Sequence, residues 1–310
     1  MLELSTSHRY IVTVRDAPLF GDLARQWGEK DAPRLRTTTL KEYVRTLGRE
    51  VLPRIGDLRA DQIKRPGLTK LLNELMEENG PGVARNARAA INAIFKWAMS
   101  QCLIEGPNPT QGIKLPRPNK RKRWLSEDEL RAVWHGCENL GDFGRIVRLL
   151  ILTGCRREEI AALKWAEIVH RKDGPAIVLS GERTKNGEEH IIALTPLMLA
   201  QLPSKGGPYV FGPFGGRQSF TGWSYGEEEL PRRAGPMAGG RWTKHDLRHT
   251  FSTHMREKRL AQPHIIEACL NHKEPGMAGH YNHAPYEAPK RAAFEAWSGE
   301  VSRIVGERPV

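Results

Sequence analysis

LLILTGCRREEIAALKW, residues 149–165, sets the frame for the rest of the chain. It begins as an apolar run that only a core can absorb. Thr153 and Gly154 break that run, and a polar segment follows with Arg156 and Glu159 three residues apart at the start of a helix. At that spacing the two side chains share one face. Taken alone, the pair has an ordinary reading, a buried arginine–glutamate bridge closing a helix end, and a functional one, an arginine presented to an anion.

Further along, PAIVLS (175–180) and EEHIIALT (188–195) are β-like runs around the turn-forming Lys185–Asn186–Gly187, which predicts a short hairpin carrying Lys185. HDLRHTFSTH (245–254) then sets His245 and Arg248 on one helical face, with His249 one residue on. Arginine suits a phosphate because its planar fork donates two parallel hydrogen bonds and keeps its charge. A surface histidine is the plain alternative. A zinc pair formed by His245 and His249 is another, but it lacks the glutamate of HExxH and a clearly spaced third ligand. LNHKEPGMAGHYNHA (270–284) supplies His272 and then Tyr281. A tyrosine hydroxyl, with an unperturbed pKa of about 10, needs cations or a base beside it to act as a nucleophile. Otherwise Tyr281 is a half-buried core residue. In the last segment, Phe294, Trp297, Val301 and Ile304 line one helical face, which either folds back on its own domain or docks on a neighbouring subunit.

Toward the N-terminus, Ser126 opens a helix with Glu129 at its third position, a capping pattern. Before it, the stretch from Pro107 to Arg123 is proline-rich and ends in Lys120, Arg121, Lys122 and Arg123; it is too polar to pack and is expected to link two domains. Residues 19–113 show apolar spacing typical of four or five helices, separated by Pro33, Pro53–Gly56, Pro66–Gly67 and Gly80–Gly82. Lys41, Arg45, Arg49, Arg85, Arg88 and Lys96 recur along the faces of the second and fourth of these, where DNA phosphates could dock or water could simply solvate them. The boundaries expected are therefore an N-terminal extension (1–18), a helical domain (19–113), a basic linker (114–125) and a second domain (126–310).

A chain of 310 residues suits two cores. Its 48 basic against 36 acidic side chains leave a net charge of +12, which attracts polyanions, nucleic acid above all. No apolar run nears the roughly 18 residues of a membrane span, and the N-terminus has no secretory h-region, so a cytoplasmic location and no membrane partner are expected. Four cysteines without a CxxC pair, Cys102, Cys137, Cys155 and Cys269, point to buried thiols rather than disulfides or a zinc ribbon.

Each motif is modest singly, but the ordered set of TGxRxxE, a hairpin lysine, HxxR, LxH and tyrosine resembles the catalytic domain of the tyrosine recombinases, the phage integrase family. The resemblance covers the whole catalytic half, and the helical half is similar to the family's core-binding domain. It implies a mainly α fold with a small β-sheet in the catalytic domain (α+β). Arg156, Lys185, His245, Arg248, His272 and Tyr281 fall on the family's catalytic places, and Glu159 on an orienting one. By the same resemblance the protein breaks and rejoins DNA through a 3′-phosphotyrosyl link, with no cofactor and no metal. It would work as a tetramer on double-stranded attachment or recombination sites, a C-shaped clamp associated with the nucleoid and helped at need by DNA-bending proteins. Integration or excision of a prophage or mobile element is the main expectation. A chromosome-dimer-resolving recombinase, an idle DNA-binding protein of the same fold and a metal-dependent nuclease stay as alternatives. Two departures stand out: Asn271 replaces the glycine of the family's LGH, and His249 follows Arg248 where a basic or small residue is common. The roughly 18 residues ahead of the helical domain leave no room for a folded arm-binding domain, so the enzyme either works without arm sites or is shortened.

Overall fold

The computed structural model describes residues 17–116, 122–272 and 286–307. The chain divides into two compact units, Met1–Lys120 and Arg121–Val310, each with its own apolar core.

The first unit is helical. Its main helices are Phe20–Lys30, Thr37–Thr46, Arg65–Asn79 and Pro81–Ser100, closed around Phe20, Leu23, Trp27, Leu72, Ile91 and Phe95. Several expected breakers start helices instead. Pro66 and Pro81 occupy first-turn positions, where a missing N–H costs nothing. Pro53 likewise opens the turn Leu52–Ile55; the backbone runs on from Thr37 through a π-turn at Leu47–Val51 and ends at Ile55 with Gly56 as its cap, so the expected break falls at Gly56 rather than at Pro53.

The proline-rich stretch also departs from expectation. Asn108, Thr110 and Ile113 are buried. Asn108 Nδ2 and Thr110 Oγ1 both donate to Asn92 Oδ1 at 3.0 Å, which pins this loop to the Pro81–Ser100 helix. Polar side chains pack here because they satisfy one another. At the far end of the expected linker, Leu125 is buried in the second unit and its N–H bonds Thr250 Oγ1 at 2.9 Å, so residues 122–125 belong to that unit. Three of the cysteines are buried, but Cys102 is exposed, in a left-handed turn just past the Pro81–Ser100 helix.

The second unit sets a three-stranded antiparallel sheet beside a helical core. Strands β1 (Ile168–Arg171), β2 (Gly174–Leu179) and β3 (His190–Ala193) lie in that order, with Val169 opposite Ala176 and Ile177 opposite Ile192. The expected hairpin is β2–β3. Strand β1, with its mixed IVHR sequence, carried too weak an alternation to be read. Among the helices, Glu127–Gly136 opens with the Ser126/Glu129 capping box. Gly141–Thr153 is buried from Leu149 to its end, Lys244–Glu257 packs across it, and Glu287–Val305 closes the core. Phe294, Trp297, Val301 and Ile304 of this last helix are buried in their own unit, with Trp297 Nε1 donating to Ile151 O at 2.9 Å; the fold-back reading of that face therefore holds for it.

Candidate active site

Gly154 makes the first step of the site possible. It ends the Gly141–Thr153 helix at φ +62°, and a Cβ there would sit 2.8 Å from Leu270 and 2.9 Å from Phe251. Only glycine combines that backbone with that proximity. The chain can then turn at once, so that Arg156 caps the short helix Arg157–Ala161. Arg156 Nη1 bonds Glu159 Oε1 at 2.9 Å, and Glu159 Oε2 accepts the Arg156 N–H at 2.9 Å. The buried carboxylate thus holds one edge of the guanidinium while Arg156 keeps partial exposure.

Arg248 projects from the Lys244–Glu257 helix and is only 4% exposed, yet its bonds go to neutral acceptors. Nη1 donates to Gly154 O at 2.8 Å, and Nη2 donates to Leu270 O and meets His272 Nε2 at 2.6 Å. Burial and the neighbouring Arg156 both work against its charge and lower its pKa. His272 Nδ1 lies 2.6 Å from Glu267 Oε2, so both bonds are satisfied with the proton on Nδ1 and Nε2 accepting from Arg248. The His272 hydrogen bond, aided by Arg256, outweighs desolvation and lowers the pKa of Glu267. Glu267 was not legible in the sequence. A glutamate five residues before a histidine is not a helix pair, and the two meet only because the chain turns at Asn271.

His245, one turn before Arg248, remains accessible, its ring centroid 5.0 Å from that of His249. Partial burial, then His249 and Arg248, lower its pKa and favour the neutral imidazole. Among the described residues no group of three or more His, Cys, Asp or Glu side chains could hold a metal ion. Lys185 is exposed on the ten-residue β2–β3 connection. Two residues earlier, Arg183, another residue the sequence did not single out, bonds Glu167 at 2.7 Å and Ala162 O at 2.9 Å, fixing the base of that loop. Tyr281 lies outside the described residues.

The expected DNA-contact residues divide. Lys41, Arg85 and Lys122 are exposed, as is Arg45, which pairs with Glu42 at 2.6 Å. Arg88 is half-buried and points toward Thr110 O, serving the packed loop rather than solvent. Arg123 is a correction: its guanidinium grips Glu129 at 2.9 and 2.7 Å, so it builds the fold instead of offering a free charge. Lys120 and Arg121 lie outside the described residues.

Residues 20–114 match the family model for the phage integrase central domain, and residues 227–288, spanning the HxxR helix and the His272 and Tyr281 positions, match the phage integrase family model. The chain belongs to the tyrosine recombinase family. It is 27% identical over 300 residues to the prophage integrase IntZ of Escherichia coli K12, spanning 90% of this chain and 68% of that protein. Two solved structures share its fold, each at 18% identity and a TM-score of 0.68. One is residues 75–356 of lambda integrase as a dimer bound to a COC′ core site, covering 84% of this chain and 97% of that one. The other is a lambda integrase tetramer bound to a Holliday junction, covering 88% and 79%. As a site-specific recombinase the chain has an anion to recognise, and the buried Arg248 beside Arg156 is the strongest cationic feature of the site just described.

Proposed function

We propose that this recombinase cleaves and rejoins double-stranded DNA through a 3′-phosphotyrosyl link on Tyr281, and that it integrates or excises a prophage or mobile element. The observation that carries the reading is a buried arginine, Arg248, whose hydrogen bonds among the described residues go to carbonyls and an imidazole, with the charge of Arg156 near enough to work against its own. A desolvated cation without a counter-anion is costly, and an incoming phosphate would relieve that cost.

Attack on a phosphodiester gathers negative charge on the non-bridging oxygens, where preorganised cations act most strongly. Arg156 and Arg248 take those oxygens. His272, bonded to Arg248 through Nε2 and to Glu267 through Nδ1, holds that guanidinium in place for them. The Tyr281 oxygen forms its bond to phosphorus as its proton passes to His245, whose neutral form is favoured. The bond from phosphorus to the 5′ oxygen breaks, and the Lys185 ammonium protonates that oxygen to leave a free 5′ hydroxyl. Because the phosphotyrosyl link conserves the bond energy, rejoining is the same path reversed and needs no ATP.

Pairing of two duplexes by a tetramer, and a prophage or mobile-element role, are carried over from the solved and curated relatives. Work on chromosomal DNA would place the protein in the cytoplasm with the nucleoid; among the described residues no helix is long and apolar enough to cross a membrane.

Covalent capture tests the reading. The protein is incubated with nicked duplex DNA from the region flanking its own gene, with EDTA present, and run on a denaturing gel beside Tyr281→Phe. An adduct that survives EDTA and is lost in the variant is expected. Tight binding without an adduct would overturn the tyrosine mechanism in favour of an idle DNA-binding protein, and cleavage that EDTA abolishes would point to a metal-dependent nuclease.

A further inference from the structure

Two asparagines tie the lysine loop to the arginine side of the site. Asn186, next to Lys185, donates from Nδ2 to Asn271 O at 2.9 Å and to Asn271 Oδ1 at 3.0 Å. Asn271 Nδ2 donates back to Asn186 Oδ1 at 3.3 Å and to Glu188 O at 3.4 Å. Asn186 Oδ1 also accepts the Glu188 N–H at 3.2 Å, closing the tip of the loop on itself. Asn271 directly precedes His272 and follows Leu270, whose carbonyl holds Arg248.

Asn271 adopts φ +50° past the end of the Pro263–Cys269 helix, a left-handed turn that glycine makes without strain. Its backbone therefore does not explain its side chain, since the glycine of the family pattern would turn the chain as well. What the side chain adds is the clasp. We propose that Asn186 and Asn271 are positioning residues: their paired amides preorganise the Lys185 loop against the segment carrying Leu270 and His272, so that the lysine meets the scissile phosphate with little loop ordering left to pay for.

The inference rests on the reading of Lys185 as the group that protonates the 5′ oxygen. The clasp itself exchanges no proton; as the bond to the 5′ oxygen breaks, the Lys185 ammonium gives up its proton and becomes an amine. Neither asparagine touches the reacting atoms. The effect is on geometry, where a displacement of about 1 Å can cost on the order of a hundredfold in rate.

The test is single-turnover cleavage of the nicked duplex mapped by covalent capture, made in two forms: one with oxygen and one with sulfur as the 5′ bridging atom at the scissile phosphate. A thiolate leaves without a proton. On the oxygen duplex, Asn271→Gly and Asn186→Ala should each slow cleavage about tenfold. Asn271→Asp keeps an acceptor for Asn186 Nδ2 and tolerates the left-handed turn, so it should fall between them and the parent. All three should match the parent on the sulfur duplex, as should Lys185→Ala. A Lys185→Ala defect that sulfur does not repair would overturn the acid role itself. With Lys185→Ala repaired, parental rates for Asn271→Gly and Asn186→Ala on oxygen, or equal slowing on both duplexes, would overturn the clasp alone. Hydrogen exchange on the free protein provides a readout independent of DNA: Asn271→Gly should speed exchange at residues 185–188 with the buried helices unchanged, and identical exchange would overturn the clasp.

Discussion

The two sides of the proposed active site are built in opposite ways. Arg248 is packed in the core and held by the carbonyls of Gly154 and Leu270, whereas Lys185 stands exposed on a loop that Arg183 fixes at its base, Thr184 braces from within and Asn186 ties at its tip. A group that stabilises charge must already be in place when the charge appears, so rigidity serves it. Lys185, proposed as the proton donor, keeps the freedom of an exposed side chain while the Asn186–Asn271 clasp orders the loop beneath it.

Substitution at Arg248 should break the comparison hardest. Arg248→Ala is expected to lower single-turnover cleavage about a thousandfold, the scale of losing a preorganised donor to a developing anion. It should also lower thermal stability, because two buried carbonyls lose a donor at about 1–3 kcal/mol each. Lys185→Ala should cost about a hundredfold or more in cleavage of an oxygen-linked duplex, as expected for a lost general acid, while the melting temperature stays within about a degree. If both variants melted alike, the division into a core side and a loop side would fail.

His245 sharpens the contrast through pH. Its lowered pKa keeps the imidazole neutral further into acid, so the acid limb of kcat/KM should fall below pH 6.5 and disappear in His245→Ala. A limb at or above 6.5 would remove it as the base.

A smaller effect lies at Arg123, read from sequence as a DNA contact. Burial raises the pKa of Glu129, but Arg123 together with the N–H groups of Gly239 and Ser126 outweighs it and holds the pKa down at about 2 from an ordinary 4.5. A carboxylate depressed on folding contributes stability above its unfolded pKa and loses it as pH falls through the folded one. Arg123→Ala should therefore flatten the loss of stability between about pH 4.5 and 2, measured by denaturant titration, and leave DNA affinity nearly unchanged. The smallest expected signal is chemical. Burial pushes Cys155, beside Arg156, up to about 12, so a thiol reagent at pH 8 should label exposed Cys102 and leave Cys155 unreacted unless the arginine side opens.

Much of this was legible in order and spacing. The apolar run ending at Gly154, the Arg156–Glu159 pair and the HxxR helix are local patterns: helical periodicity sets His245 and Arg248 on one face, and a capping arrangement three residues long joins Arg156 to Glu159. The ion-pair and anion-binding readings of Arg156 turned out not to compete, since Glu159 holds one edge of a guanidinium that stays partly exposed. What spacing could not carry were the supports. Glu267, Arg183 and Asn186 act through bonds made by the turn at Asn271 or by the return of the β2–β3 loop, and none has a sequence signature. Arg123 at the end of the basic run differed from expectation for a related reason: charge marks a residue as soluble or ionic, and only a buried partner such as Glu129 reveals which.

The sequence by itself determined the helical and mixed halves, the identity and order of the chemical groups and the excess positive charge, because these depend on local periodicity and composition. Tertiary structure alone decided which cations, among the described residues, bond carbonyls and which become struts on carboxylates, and how firmly each is held. Desolvation and hydrogen-bond partnership are properties of segments brought together across more than a hundred residues, as when Arg123 meets Gly240 or Trp297 reaches Ile151.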